Sequence, residues 1–223
     1  RYQVARVDEV LRSELGLDNG LAHPDVVVLD PCCGTGAYLV EVLRVIGERY
    51  KAQGIDALAA HRLKQAVTSR LFGFELLPAP YVVAHLQLGL LLRHLGVALT
   101  DGERAGIYLT NALTGWEPPK DRKAVLPFPE FAQERDAADQ VKQTQKILVV
   151  LGNPPYNAYG GVALGEEQDL IAPYKEGLVS KWGIKKFNLD ELYVRFFRLA
   201  ERRIAEQGGR GIVSYITSYS YLT

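Results

Sequence analysis

Short continuous apolar runs alternate along this chain with longer stretches in which apolar positions recur every three or four residues. The runs fall at residues 25–30, 71–75, 107–110, 147–152 and 211–216, and each reads as a strand, the first as one buried on both faces. Helical spacing covers 4–15, 38–50, 55–70, 78–95, 131–145 and 189–204. In the last of these, Leu189, Leu192, Phe196, Leu199 and Ile204 share one face, while Arg198, Arg202 and Arg203 lie toward another. Pro78 and Pro80 open the fourth helix, where the first N–H groups lack intrahelical partners in any case. Strand–helix alternation of this kind predicts an α/β fold, a doubly wound and mainly parallel sheet. Two stretches fit neither period. Residues 116–129 hold four prolines among charged residues and read as a surface excursion. Residues 159–183 are glycine-studded, and so long a loop in a compact domain tends to be functional or mobile.

The strand ends carry the candidate chemistry. Asn153-Pro154-Pro155-Tyr156 follows the fourth run directly. Two prolines end a ladder, since each fixes φ and removes a donor. What remains is a stiff corner presenting one amide and one aromatic ring, at the edge where parallel sheets bind ligands. An amide beside a π-face suits a planar, amine-bearing group such as a nucleobase drawn out of its stack. A proline-terminated strand with a packing tyrosine is the plainer alternative. The first run ends in Asp30 and passes through Pro31-Cys32-Cys33-Gly34-Thr35-Gly36 into a helix. Glycines there let the backbone pass close to a ligand and the helix N-terminus offers N–H groups, although a tight strand–helix turn needs the same residues. Glu75 closes the second run, where a carboxylate can accept from both ribose hydroxyls of a nucleoside cofactor or simply cap a helix. Asn111 closes the third, and can read an adenine edge or shape a turn. Four such ends together are far more specific than any one.

Composition adds limits. With 48% hydrophobic and 23% charged residues the chain has a globular profile. Its formal net charge is zero, whereas a self-sufficient DNA-binding domain carries a basic excess. Any grip on nucleic acid therefore sits mostly elsewhere. Residues 172–203 do hold eight Lys or Arg against four Asp or Glu. Lys175, Lys181, Lys185 and Lys186 are candidates for phosphate contact there, or plain solvated charges. Adjacent Cys32 and Cys33 suit neither a metal clip nor a disulfide, and the four histidines show no ligand spacing, so no metal is expected. The longest apolar stretch, 84–99, is broken by His85, Gln87, Arg93 and His94. No membrane partner and a cytoplasmic location are the expectations. The chain starts at Arg1 and contains no methionine, which reads as a piece of a longer polypeptide.

Residues 30–36 resemble the first motif of adenine-specific DNA methyltransferases that use S-adenosyl-L-methionine (AdoMet), and Asn153 to Tyr156 resembles their catalytic motif. Glu75 and Asn111 match the family's ribose and adenine positions by place in the fold. Cofactor motif before catalytic motif fits the gamma arrangement. Residues 174–203 resemble, more particularly, the methyltransferase region of single-chain, ATP-dependent (Type ISP) restriction–modification enzymes. The resemblance implies a class I, Rossmann-like methyltransferase fold truncated after the fifth strand, from a bacterial or archaeal source. One catalytic domain would comprise a leading helix (1–20), an AdoMet-binding half (24–112), an insert (113–145) and a catalytic half (146–223) with a mobile loop at 158–186. The target-recognition domain would lie beyond Thr223, and the family's N-terminal cofactor motif before Arg1. AdoMet would be held by Asp30, Pro31, Gly34, Gly36, Glu75 and Asn111. The substrate would be double-stranded DNA with a flipped adenine, and nuclease, helicase-like and target-recognition regions would share the polypeptide. Asn153 and the Pro154 carbonyl would accept hydrogen bonds from the exocyclic amine, with Pro155 stiffening the corner and Tyr156 stacking on the base. Three alternatives stay open: methylation of a glutamine amide in protein, methylation of adenine in RNA, and a silent module that only binds DNA or partners.

Overall fold

A computed structural model describes residues 1–54, 56–118, 128–156, 167, 170–178, 180–183, 189 and 191–218, with backbone alone at 56 and 57. Five strands form one sheet: β1 (Val28–Asp30), β2 (Leu71–Glu75), β3 (Gly106–Leu109), β4 (Val149–Gly152) and β5 (Ile212–Tyr215). Every neighbouring pair is parallel, and the order is β3-β2-β1-β4-β5. Parallel pairing demands crossovers, and helices supply them: α1 (Tyr2–Ser13) leads in, and α2 (Ala37–Ala52), α3 (Asp56–Ser69), α4 (Pro78–His94), α5 (Pro129–Thr144), α6 (Ala172–Lys175) and α7 (Leu192–Glu201) follow. The doubly wound parallel sheet expected from the sequence is present.

Alternation along each strand divides the core into two layers. Val28, Leu71, Ile107, Val149 and Leu151 point to one face, where they pack with residues of α1 to α4. Leu29, Phe72, Phe74, Tyr108 and Val150 point to the other, against α5 and α7. Both faces of β1 to β4 being covered is why those strands read as unbroken apolar runs, whereas β5 at the sheet edge is only partly buried, with Val213 exposed. Gly106 serves this packing, because a Cβ there would sit 2.4 Å from the Leu71 carbonyl oxygen of the neighbouring strand. Gly106→Ala must push β3 off β2. It is expected to lower unfolding free energy by about 3 kcal/mol, measured as a reduced midpoint in urea with an unchanged slope.

Four expectations need correction. Trp116 does not lie on a surface excursion: it is buried, edge-on to Phe74 and under the Arg203 guanidinium at 3.9 Å. Arg198 and Arg203 are likewise buried rather than solvated: Arg198 pairs with Glu201 of its own helix and lies over the Tyr174 ring, and Arg203 reaches the Lys142 carbonyl and the Trp116 ring. The last long helix is shorter than expected as an α-helix. It passes at Arg202–Gly208 into a wider π-helical turn and stops at Gly209, whose φ of +75° suits glycine. Finally, the long loop is not wholly irregular, since Leu170 and Ile171 are buried and α6 follows them. Among the described residues, no helix is long and apolar enough to cross a membrane.

Candidate active site

From β1 the chain steps outward to β2 and β3, then returns to build β4 and β5 on the other side. The reversal opens a crevice at the carboxyl ends of β1 and β4, the place where such sheets bind ligands. Asp30 and Asn153 stand on either side of it.

Asp30 is fully buried. Its Oδ1 accepts the Cys32 N–H at 3.1 Å, while Oδ2 has no hydrogen-bond partner. Burial pushes its pKa up to about 7; the Cys32 N–H opposes this and the Glu75 charge adds to it. The adjoining turn needs both of its glycines, Gly34 and Gly36, at φ of +54° and +83°. Gly36 also lies against α4, where a Cβ would meet that of Ala84 at 3.1 Å. Pro31 is buried within the turn.

Glu75 ties the turn to the next strand end. Its Oε2 accepts the Gly34 N–H at 2.9 Å, and its Oε1 accepts the Leu76 and Leu77 N–H groups at 2.8 Å each. A carboxylate has about four lone-pair directions. With three taken by backbone, one is left for a ribose hydroxyl, fewer than the two sequence reasoning assigned. Leu76 and Leu77 beside it are 65% and 60% exposed, an apolar shelf that sequence reasoning passed over. Two leucines directly after a strand-terminal acid were the available signal.

Asn111 forms a turn of its own, its Oδ1 accepting the Leu113 N–H at 2.9 Å. An N–H can only donate, so the atom facing it is the amide oxygen, and the amide nitrogen is what Asn111 can present to a ring nitrogen. Beside it, between the end of β3 and α5, opens a cleft of about 470 Å³ whose walls include Thr110, Phe131 and Glu134.

At the end of β4, Pro154 is buried while Asn153, Pro155 and Tyr156 are exposed. The Tyr156 hydroxyl faces both the Asn153 side-chain oxygen and, at 3.1 Å, the Ile216 carbonyl just after β5. It has one proton for two oxygens. If Ile216 takes it, the Asn153 amide turns its nitrogen to the tyrosine. The two motifs meet at Gly152, the residue before Asn153, where a Cβ would sit 2.7 Å from Asp30 Oδ1 and 3.2 Å from Cys32 Sγ. Burial and the Asp30 charge push that thiol well above its usual range, so it stays neutral. Tyr38 and the half-buried Tyr215 lie within electrostatic reach of Asp30 and Cys32. Among the described residues, no three His, Cys, Asp or Glu side chains gather as a metal site.

Of the basic candidates, Lys175 and Lys181 lie among the described residues. Tyr174 on α6 donates to Glu201 at 2.6 Å, in the last turn of α7 and roughly 13 Å along that helix from its first residue. Lys175 is therefore anchored toward the far end of α7. Lys181 and Trp182 are exposed on the following turn. Lys185 and Lys186 lie outside the described residues.

Comparison with known proteins bears on this geometry. The model of the N-6 DNA methylase family matches residues 17–177, more than two thirds of the chain, with every strand-end candidate inside the match. Among solved structures, the Type ISP restriction–modification enzyme LlaBIII bound to DNA superposes with a TM-score of 0.77 at 24% identity, over 99% of this chain and 14% of its own. A nuclease-deletion mutant of the Type ISP enzyme LlaGI with a DNA substrate mimic gives 0.75 at 23%, over 100% and 18%. The DrdV–DNA complex gives 0.74 at 23%, over 99% and 20%. The chain thus spans a fifth or less of each of these proteins. No curated protein matches the sequence at a significant level. On the family match, with a Rossmann-like parallel sheet beneath it, this chain is a member of the N-6 DNA methylase family, whose reaction depends on AdoMet.

Proposed function

We propose that the chain transfers a methyl group from AdoMet to the exocyclic amine of an adenine in DNA, as the modification part of a single-chain restriction–modification enzyme. The observation that carries this reading is the close approach of Asp30 and Cys32 to Gly152, which leads into the 153–156 corner, at the switch point of the sheet, in a chain of this family. AdoMet supplies an electrophilic sulfonium methyl when bound. The residues present fit it: Asp30 Oδ2, a buried acceptor without a partner, suits the cofactor's ammonium group. Glu75 has a lone pair left for the ribose, Leu76 and Leu77 offer an apolar shelf for the adenine face, and the Asn111 amide nitrogen can meet a ring nitrogen. Gly34, beside which a Cβ would meet nothing within 4 Å, keeps the approach open.

On the acceptor side, the Asn153 oxygen and the Pro154 carbonyl hold the amine so that its lone pair faces the methyl group. Positioning then supplies most of the rate. Tyr156 gives up its hydroxyl contact with Asn153 and stacks on the extruded base. LlaBIII and LlaGI are restriction–modification enzymes held on DNA, and by that analogy the partner is double-stranded DNA, with nuclease, helicase-like and target-recognition regions in the same polypeptide.

The test offers the full-length protein methyl-labelled AdoMet with duplex DNA, RNA and protein in parallel. Label recovered from DNA as N6-methyladenine supports the reading; label in RNA or glutamine, or none, rejects it. A related expectation concerns Tyr156. Stacking on a base contributes about 1–3 kcal/mol, so Tyr156→Ala should slow transfer roughly 10- to 100-fold. Tyr156→Phe keeps the ring and should stay within about threefold of the parent, as read by single-turnover kinetics and the fluorescence of 2-aminopurine at the target. Equal losses in the two variants would place the effect in the hydroxyl and reject stacking.

A further inference from the structure

The segment after β3 is gripped by a side chain that the proposed chemistry does not use. Lys142, in the last turn of α5, is 1% exposed, and its Nζ donates to Thr110 Oγ1, Asn111 O and Thr114 O at 2.8 Å each. An ammonium has three protons, and three oxygens of one five-residue segment lie within reach of them. The same group lies 5.2 Å from the centroid of the Phe74 ring, next to Glu75, so one cation joins the ends of β2 and β3. Its neighbours reinforce the grip. Gln143 Nε2 donates to the Gly115 and Glu117 carbonyls at 3.2 and 3.3 Å, and the Trp116 indole N–H reaches Ala112 O at 2.6 Å. Taking an ammonium out of water is expensive unless its hydrogen bonds are made. A loop with no task beyond linking β3 to α5 could instead leave its carbonyls to water.

We propose that Lys142 is a positioning residue of the cofactor site: by fixing the Asn111 carbonyl, it presents the Asn111 amide nitrogen to the adenine of AdoMet. The inference rests on the AdoMet reading above. Both oxygens of Asn111 are engaged within the protein, one by Leu113 and one by Lys142. Only the nitrogen is then left to report which ring approaches.

The test is a double-mutant cycle in the full-length protein. AdoMet and 5′-methylthioadenosine, which keeps the adenosine part and lacks the amino-acid end, are titrated calorimetrically into the parent, Lys142→Met, Asn111→Ala and the double variant. Each single change is expected to raise the Kd of both ligands about tenfold, the upper end for one neutral hydrogen bond to the adenine. The double variant should be no worse than either single, because Lys142 acts through Asn111. Losses that add, or a Kd unchanged in Lys142→Met, overturn the proposal. Should Lys142→Met fail to fold, Thr110→Val removes one acceptor of the ammonium; a Kd raised about threefold supports the proposal and an unchanged one overturns it. A parent that does not bind AdoMet rejects the cofactor reading itself, whereas a binding parent with an indifferent Lys142 rejects only this inference.

Discussion

Asn153→Ala is expected to cut methyl transfer by about 10²- to 10³-fold, the loss typical of removing one preorganised hydrogen-bonding group at a reacting centre, with AdoMet affinity changed less than about twofold. The split follows from what each part of Asn153 touches. Its side chain contacts Tyr156, whereas Asp30, Glu75 and Asn111 hold partners of their own on the other strand ends. Two prolines still set the corner after the substitution. Single-turnover transfer measured beside calorimetric AdoMet binding separates the two. A variant that loses cofactor binding in parallel with transfer would mean that Asn153 belongs to the donor side, and the division between the sides would be wrong.

Asp30 has the second large effect, and it depends on pH. The buried carboxyl titrates at about 7 before the cofactor arrives. AdoMet carries a sulfonium and an ammonium against one carboxylate, so it favours ionised Asp30. Below pH 7 binding must release a proton, and affinity is expected to weaken about tenfold between pH 8 and pH 6. Above about pH 7.5 it levels off. Asp30→Asn should bind roughly tenfold more weakly at pH 8 and show no such slope. Calorimetry in buffers of different ionisation heat reads the proton directly. A slope that persists in the variant would assign it to another group.

For the protein without cofactor the sign reverses. The folded pKa lies above the unfolded value of 3.8, so between these pH values the native state binds more protons than the unfolded one, and stability falls as pH rises. The contribution of Asp30 is complete below about pH 4 and is lost as pH climbs through about 7. AdoMet should therefore stabilise the protein most above neutrality, where apo Asp30 is charged and unpaired.

Much of this was legible in the sequence because burial on both faces leaves a simple trace. Residues 71–75 were read as a strand and form β2 to the residue, since no polar position interrupts them before Glu75. Asp30, Glu75, Asn111 and Asn153 were expected at strand ends, and parallel pairing puts those ends on one edge. What periodicity cannot show is the partner of a side chain far along the chain. Trp116 sits among prolines and charges that mark a loop, yet its ring fills the space between Phe74 on β2 and Arg203 beyond α7. Lys142 reads as one more polar residue of a polar helix until the three oxygens around it are seen. Cys32 was weighed only as a metal or disulfide candidate, and nothing local says that its sulfur lies against Gly152. Nor does the local sequence show that Tyr174, beside Lys175, binds Glu201 at the end of α7.

The central claim is that the turn after β1 and the corner after β4 hold methyl donor and methyl acceptor against each other. Photochemical crosslinking of methyl-labelled AdoMet to the full-length protein, followed by peptide mapping, tests it most directly. Label should appear on residues 30–38 or 153–156 and be displaced by excess unlabelled cofactor. Displaceable label on any peptide remote from both, with these two unlabelled, would contradict the account.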